Sequence, residues 1–337
     1  MNESKYDLIT MGRSSIDLYS NDIGVPFIEI KSFSAYVGGS PTNIAVGGRR
    51  LGLQVALLTA VGQDPVGDFI IAFLEREGIQ TQYIPRKPEA RSSAVALGIE
   101  PPDRYPLVYY RSNAADILLS INDVLSLPIS GCKAFEFAGT NLSLDPCRSA
   151  TFFAAERSKN AGVTVFFDLD FRADQWHDLL AFGVTARAIL PLVDVVIGTE
   201  EEVLAAMLDD PAQVKITHSQ ISAPTIRGDL NRAIQGLLSH GCKALVVKRG
   251  PEGCSIFTEG GNRLDVPGFP VEILNVLGAG DAFASGLIYG RTKGWNWYRS
   301  ARMGNACGAI LVTKHGCANF MPSKQEVMEF IQSKGGF

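Results

Sequence analysis

Residues 274–290 of the chain read LNVLGAGDAFASGLIYG, and this stretch organises the rest of the sequence. A short apolar segment leads into Gly278, Ala279, Gly280 and Asp281, and then into small and apolar residues at helical spacing. Small residues at a helix start let backbone N–H groups point outward, where the helix dipole also favours an anion. Asp281 therefore has two interpretations. It caps the helix, or it is a general base that takes the proton of a substrate hydroxyl beside a phosphoryl group.

Other glycine-rich motifs do not fit this stretch. There is no GxxxxGK[ST] sequence, which excludes a P-loop. Aligned to GxGxxG, the stretch has Phe283 at the third glycine and lies far from a first βαβ unit, which argues against a dinucleotide-binding fold.

Around this stretch, short apolar runs alternate with longer helical patterns. We predict an α/β fold with a mostly parallel central sheet, because the apolar runs are continuous enough to be covered on both faces. The predicted strands lie at residues 6–11, 55–61, 134–138, 164–168, 193–197 and 244–248. The predicted helices lie at residues 43–51, 66–77, 147–161, 200–207, 229–239, 281–292 and 297–312.

Two segments, at about residues 13–36 and 91–112, break the alternation. They contain β-rich runs without a helical pattern between them, and they predict a small antiparallel β lid inserted into one domain of residues 1–337. Residues 101–103, Pro-Pro-Asp, predict a turn between two lid strands.

Composition excludes several classes of protein. The net charge of −4 argues against nucleic-acid binding, and no apolar run is long enough to cross a membrane. The six cysteines are scattered without a metal-binding spacing, and no signal peptide is visible, so we expect reduced thiols in a cytoplasmic protein. The chain has 34 glycines, more than average, and they cluster.

Two further glycine clusters precede or follow predicted elements. Residues 37–43, VGGSPTN, fit either a tight turn with a helix cap or a close approach of backbone to a polar ligand beside Asn43. Residues 248–253, KRGPEG, by themselves predict only a turn between strands.

In this order and spacing, the clusters resemble the ribokinase-like (PfkB) family of sugar kinases. GGSPTNIA at 38–45 resembles its first signature, and NVLGAGDAFASG at 275–286 its second, the GAGD motif. The likeness also covers VGQDPVGD at 61–68, VVKRGPEG at 246–253 and GNACGAI at 304–310. The resemblance implies a ribokinase-like fold, ATP-dependent phosphorylation of a hydroxyl, Mg²⁺ and often a monovalent cation.

The resemblance also implies a role for individual residues. Asp281 resembles the catalytic base, and Gly278, Ala279 and Gly280 the anion hole. The residues that resemble substrate-hydroxyl contacts are Asp17, Gly38, Gly39 and Asn43. The residues that fall on the nucleotide side are Lys248, Gly250, Gly253 and, beside the adenine, Asn305.

Two positions depart from the family pattern. Asn275 and Val276 stand where many members carry Asp-Thr, which puts activation by a monovalent cation in doubt. Thr199 replaces the Asn of an Asn-x-x-Glu motif, whereas Glu202 matches the Glu that positions Mg²⁺ through water. Alternatively, Glu202 is only one of the acidic residues that stabilise the start of a helix by complementing its dipole.

Three residues bear on the charge of the substrate. Tyr109 and Arg111 end a predicted lid strand, and Arg172 follows the carboxyl end of a sheet strand, where α/β proteins bind ligands. An arginine fork suits a carboxylate, and the pattern resembles the acid-sugar kinases of the family, which phosphorylate a keto-deoxy acid. Arg172 paired to Asp170 or Asp174 at the surface is the alternative. A neutral sugar such as fructose, or a non-catalytic sugar or nucleotide sensor, also stays open. We expect a homodimer through the lid.

Overall fold

The strands form where short β-branched and aromatic runs occur, and they build one sheet of eight strands, one of four strands and two of two strands each. The computed structural model describes residues 5–101, 104–217 and 223–337. Its strands are β1 (Tyr6–Met11), β2 (Ser15–Ser20), β3 (Phe33–Gly38), β4 (Val55–Leu58), β5 (Val61–Gly62), β6 (Arg86–Lys87), β7 (Ser93–Leu97), β8 (Leu107–Tyr110), β9 (Cys132–Ala138), β10 (Thr164–Asp168), β11 (Val195–Thr199), β12 (Val214–Lys215), β13 (Thr225–Ile226), β14 (Ala244–Lys248), β15 (Gly253–Thr258) and β16 (Asn262–Pro267). The two-stranded sheets are β5-β6 and β12-β13.

The helices follow the strands in an alternating order and cover both faces of the large sheet. Its helices are α1 (Ser40–Arg50), α2 (Pro65–Arg76), α3 (Ile121–Leu125), α4 (Cys147–Asn160), α5 (Leu179–Ile189), α6 (Glu200–Ala206), α7 (Leu230–Ser239), α8 (Ala279–Thr292), α9 (Trp297–Leu311) and α10 (Lys324–Ser333).

The central sheet has eight strands in the order β16-β15-β14-β11-β10-β9-β1-β4. The strands from β14 to β4 run parallel, and β15 and β16 add an antiparallel hairpin at one edge. Successive side chains point to opposite faces, so Phe135 and Phe137 enter one core cluster and Ala134 enters the other. The prediction of a mostly parallel sheet flanked by helices is confirmed.

The small sheet, here called the lid sheet, has the order β3-β2-β7-β8. Its outer pairs β2–β3 and β7–β8 are antiparallel, and the central β2–β7 pair is parallel. On one face, Asp17 and Tyr19 are buried, whereas the opposite face carries apolar side chains that are half-buried or exposed. The residues of this apolar outer face are Ile16, Leu18, Ala35, Ala94, Ala96, Val108 and Tyr110. The turn predicted at 101–103 lies partly outside the described residues.

Three of these helices were not predicted: α3, α5 and α10. Helix α5 begins at Asp178, whose carboxylate accepts from the Leu180 N–H at 2.8 Å. Helix α10 begins with a capping box of Ser323 and Glu326, a sequence signal that identifies such helix starts.

Candidate active site

Helix α8 begins in the cleft between the central sheet and the lid sheet, and a glycine makes its first turn possible. Gly278 has φ +81°, a left-handed conformation that favours glycine, and a Cβ there would lie 2.9 Å from the Cys317 Cβ. The Ala279 N–H donates to the Val276 carbonyl at 3.1 Å. Within the part of the chain that the structure describes, the N–H groups of Gly278 and Gly280 have no such partner, so they are available to an anion.

Asp281 lies in the first turn of α8 and faces helix α1. Its Oδ2 accepts a hydrogen bond from Asn43 Nδ2 at 2.6 Å. Burial and the neighbouring Asp170 carboxylate raise the pKa of Asp281, while the Asn43 hydrogen bond and the Lys248 charge act in the opposite direction. The result is a carboxylate fixed in orientation and more basic than an exposed aspartate, which suits a general base.

The diglycine before α1 brings the backbone close to the start of the lid. Gly39 has φ +111°, and a Cβ there would overlap the Arg13 carbonyl. A Cβ on Gly38 would overlap the carboxylate of Asp17, so this side chain lies directly over the Gly38 backbone. The predicted residues Asp17, Gly38, Gly39 and Asn43 are thus brought together.

Lys248 forms the centre of an acidic cluster at the carboxyl ends of β10 and β14. Its Nζ lies 3.1 Å from Asp168 Oδ1 and 3.6 Å from Glu202 Oε2. Burial, partly offset by the Lys248 charge, raises the pKa of Asp168 to about 7. A Cβ on Gly280 would lie 2.9 Å from Lys248 Nζ, so the missing side chain lets the ammonium reach the start of α8. Lys248 therefore lies at the Asp281 end of the cleft.

Two arginines lie near Asp170, the carboxylate that neighbours Asp281. Arg172 Nη2 pairs with Asp170 Oδ1 at 2.8 Å, and Thr140 Oγ1 donates to the other oxygen of Asp170 at 3.2 Å. The Arg13 guanidinium stacks on the Tyr109 ring at 5.0 Å and donates from Nη1 to Ser15 Oγ at 2.6 Å. Burial by itself would raise the pKa of Asp170, but the Arg172 and Arg13 charges lower it below its usual value.

Asp17 is also buried, and its neighbours compensate only part of the charge of its carboxylate. Burial raises its pKa, although the Arg13 charge and a hydrogen bond from Ser15 Oγ, at 2.6 Å, act in the opposite direction. An unneutralised buried carboxyl of this kind is suited to accept hydrogen bonds from sugar hydroxyls.

Arg111 is placed differently from Arg172. Its side chain is 3% exposed, and its Nη2 and Nε both bind Asp116 Oδ2, at 2.7 and 2.8 Å. Its Nη1 donates to the Thr140 carbonyl at 3.2 Å. All three nitrogens are thus used inside the protein, and the structure does not bring Arg111 to the cleft as a free donor.

The predicted nucleotide residues lie around the β15–β16 hairpin. Gly250 and Gly253 have positive φ values of +54° and +97°, and a Cβ on Gly253 would overlap the Val266 carbonyl. Asn305 Nδ2 donates to the carbonyls of Val266 and Pro267, at 3.2 and 2.9 Å. Asn305 thus holds the end of β16, and Gly253 lets the two strands approach.

The side-chain amide of Asn275 holds the loop that precedes the GAGD motif. Asn275 is buried, its Nδ2 donates to the His315 carbonyl at 2.9 Å, and its Oδ1 accepts from the Leu277 N–H at 3.0 Å. This side chain joins the loop before α8 to the loop after α9.

The carboxylates beside Lys248 fit a metal ion only through water. Glu202 Oε2 accepts from the Thr199 N–H at 2.7 Å and faces Lys248, and both Asp168 oxygens have partners in Lys248 and Ser40. Among the described residues, no group of three or more His, Cys, Asp or Glu side chains could hold a metal ion. Mg²⁺ keeps several waters and binds phosphate oxygens, so such a shell is compatible with it.

The sequence analysis missed Arg13, Asp168 and Asp170. Each follows or ends a parallel strand at its carboxyl edge, where α/β sheets bind ligands, and this position is the signal that identifies them. Asp170 has φ +31°, which its short polar side chain tolerates.

A basic carboxylate, free N–H groups at a glycine-rich helix start and a lysine in one cleft are typical of an enzyme that transfers a phosphoryl group to a hydroxyl. The sequence profile of the pfkB family of carbohydrate kinases matches residues 5–324. The chain belongs to this family and is a phosphotransferase that acts on a sugar hydroxyl.

Individual relatives agree with this assignment. A 5-dehydro-2-deoxygluconokinase of Geobacillus thermodenitrificans is 33% identical over 97% of this chain and 93% of its own length. The enzyme of the same name from Clostridium tetani is also 33% identical, with the same coverage. A fructokinase from Xylella fastidiosa with bound ATP has a TM-score of 0.81 at 25% identity, over 97% of this chain and 99% of its own.

A further solved structure of a similar protein contains both ATP and Mg²⁺. An E. coli protein provisionally assigned as ribokinase II, in complex with ATP and Mg²⁺, has a TM-score of 0.82 at 26% identity, over 97% of this chain and 99% of its own. In the described residues of the present chain, no helix is long and apolar enough to cross a membrane.

Proposed function

We propose that the chain transfers the γ-phosphoryl group of MgATP to the terminal hydroxyl of 5-dehydro-2-deoxy-D-gluconate, a step of inositol catabolism. Residues 1–337 act as one kinase domain. The names of the curated relatives support this substrate. The observation that carries the proposal is the pair of guanidiniums of Arg13 and Arg172, whose Nε atoms are both buried and unpartnered among the described residues.

A buried N–H donor without a partner costs about 1–3 kcal/mol, and these two lie beside the same Asp170 carboxylate, so a ligand that accepts from both would offset that cost. A carboxylate does so, because the arginine fork matches its geometry. A neutral sugar could accept from these donors but would not match the planar, bidentate geometry of a guanidinium. We therefore assign the carboxylate of the substrate to Arg13 and Arg172 beside Tyr109, with Arg111 supporting the cleft through Asp116.

At the other end of the substrate, Asp281 accepts the proton of the terminal hydroxyl. The free N–H groups of Gly278 and Gly280, together with the Lys248 ammonium, stabilise the charge of the transferred phosphoryl group. Asp17 and Asn43 orient the remaining hydroxyls. Phosphoryl transfer needs mostly such positioning and charge stabilisation.

ATP lies along the β15–β16 hairpin, with Gly250 and Gly253 at its backbone side and Asn305 beneath the base. Glu202 and Asp168 would hold Mg²⁺ through water, and the ion, when bound, would neutralise part of the phosphate charge. Asn275 lies in the loop before α8, and its side-chain amide donates a hydrogen bond as well as accepting one. A neutral amide in this position fits a kinase that does not require a monovalent cation.

The test is an ADP-release assay with 5-dehydro-2-deoxygluconate, 2-keto-3-deoxygluconate and fructose. Arg172→Gln should raise KM for the keto-deoxy acid about tenfold or more, with a smaller effect on fructose. Arg104→Gln, an exposed lid arginine paired with Glu100, is the matched control and should leave KM unchanged. A preference for 2-keto-3-deoxygluconate would reassign the acid, and a preference for fructose would overturn the acid-sugar proposal. The absence of turnover on every sugar would favour a sensor.

We also propose a homodimer formed through the apolar outer face of the lid sheet. Contiguous apolar surface of this kind marks association sites, and the edge strands β3 and β8 gain cover from a second lid. The six cysteines are all unpaired and buried, which fits a reducing compartment such as the cytoplasm.

A further inference from the structure

Glu136 is a fully buried acid in the middle of the central sheet, and the chemistry above does not use it. Its side chain has 0% exposure, and neither carboxyl oxygen has a hydrogen-bond partner among the described residues. Phe135 and Phe137 point into the other core cluster, so Glu136 lies on the sheet face of Ala134, which carries helices α1 and α8. A buried polar group without a partner needs an explanation, because it costs stability.

The environment of Glu136 favours the protonated form of the carboxyl over the ionised form. Burial raises its pKa well above the usual value, and the Asp168, Asp281 and Asp170 carboxylates act in the same direction. A neutral carboxylic acid, unlike a carboxylate, has one O–H donor. Glu136 therefore brings a donor to the face of the sheet that lies beneath the candidate active site.

Two other unpartnered oxygens belong to the same face. Thr10 is paired with Glu136 in the register of β1 and β9, and its hydroxyl is buried without a partner. Asn43 is buried on α1, which packs on β1 and β9. Its Nδ2 donates to Asp281, but its Oδ1 is buried and unpartnered. Three such groups match the number of polar partners, two to four, that one bridging water needs.

We propose that Glu136 is a positioning residue for the catalytic base: its O–H group, through one water shared with Thr10, donates to Asn43 Oδ1. This holds the Asn43 amide with its Nδ2 toward Asp281. With the donor absent, the amide is free to rotate, and its oxygen would then face the Asp281 carboxylate and repel it. No bond is made or broken in this role. The inference rests on the proposed function, since it assigns Asp281 as the base.

The test compares Glu136→Gln with Glu136→Met. Glutamine keeps an N–H donor without charge, so kcat should stay within about threefold of wild type and the acid limb of the kcat profile should not move. Methionine fills the space without a donor, so kcat should fall about tenfold or more with little change in KM for ATP. Its acid limb should shift to higher pH, because a lost hydrogen bond to ionised Asp281 raises the pKa of that group.

Three results would overturn the inference. The first is an equal loss of kcat in both variants, and the second is an unchanged kcat in Glu136→Met. The third is an acid limb that moves to lower pH in Glu136→Gln, since that shift would mean that glutamine had replaced a negative charge. Thermal melts separate a loss of folding from a loss of positioning.

A readout without substrate keeps this test separate from the proposed function. With the glutamate carboxyls isotopically labelled, the infrared spectrum of the wild type at pH 8 should contain a protonated-acid C=O band that Glu136→Gln lacks. If wild type phosphorylates no sugar, the proposed function fails while this band still tests the state of Glu136. If the band is missing, the positioning role fails even in an active kinase.

Discussion

Replacing the carboxylate of Asp281 by an amide, in Asp281→Asn, tests the assignment of the base with little disturbance of the fold. The new side chain has nearly the same shape, and its oxygen can still accept from Asn43 Nδ2, 2.6 Å away in the wild type. Burial and Asp170 both disfavour a charge at this position. A neutral amide therefore removes an unfavourable charge, and we expect a Tm equal to or above that of the wild type.

The loss of activity should be large because the amide cannot take a proton. A positioned general base contributes about 10²–10⁴-fold, which corresponds to about 3–5 kcal/mol in the activation free energy. The N–H groups of Gly278 and Gly280 and the Lys248 ammonium remain, so binding of ATP should change little. We expect kcat to fall by about 10²-fold or more, with KM within a fewfold of wild type.

The wild-type pH profile supplies the second half of this prediction. Asp281 acts as a base only when it is deprotonated, and its pKa is raised above the ordinary aspartate value of about 3.9. As the pH falls, activity should therefore be lost at a higher pH than an exposed aspartate would give. Asp281→Asn should lack this limb in its residual rate, because the titrating group is gone.

Steady-state ADP release across pH, with thermal melts of each protein, measures these effects. Asp178→Asn is the matched control, because it makes the same chemical change at the exposed start of α5, where asparagine also caps a helix. Near-normal turnover of Asp281→Asn with an unshifted acid limb would refute the base assignment. Loss of activity in both variants would mean that the assay reports folding.

Three further predictions use other parts of the molecule. Gly278→Ala places a Cβ on a residue with φ +81°, at a cost of about 1–2 kcal/mol, and should lower both Tm and kcat. The control is Gly162→Ala, which has φ +72° and open space around it and should lower Tm alone. Leu18→Glu on the apolar outer face should convert the proposed dimer to a monomer, as measured by light scattering. Val184→Glu on α5 is the control and should leave the dimer intact. A wild-type protein that is a monomer would refute the lid interface. Because the Asn275 amide already joins its two loops, kcat should be the same in potassium, sodium or Tris buffers, and strong activation by potassium would contradict this.

The local starts of elements were the most predictable part of the molecule. Strand β14 occupies the predicted residues 244–248, and the helix that follows the GAGD motif begins at Ala279, two residues before the prediction. Both are set by neighbouring residues: a continuous apolar run in one case and a glycine in a left-handed conformation in the other. Helix α10 was missed although its capping box is visible in the sequence.

Pairing between distant side chains was the part that sequence could not decide. Arg111 and Arg172 look equivalent in the sequence, each a few residues from an aspartate. In the structure, Asp116 and the Thr140 carbonyl occupy all the nitrogens of Arg111, whereas Asp170 leaves Arg172 Nε unpaired. Which aspartate meets which arginine depends on the backbone path after each strand, and local pattern does not contain that path.

The pairing of the acids in the cleft also bears on the proposed function, in which the cleft receives an anionic substrate and ATP. Each carboxylate is compensated in a different way: Asp168 by Lys248, Asp170 by Arg172, and Asp281 by the Asn43 amide. Of these three described carboxylates, Asp281 is the one held without a salt bridge, by the neutral Asn43 amide, and its pKa is raised. A base must lose its charge during the reaction, and a salt bridge would oppose that step. The pairing pattern thus supports the proposal that Asp281 moves the proton, whereas Asp168 and Asp170 organise charge.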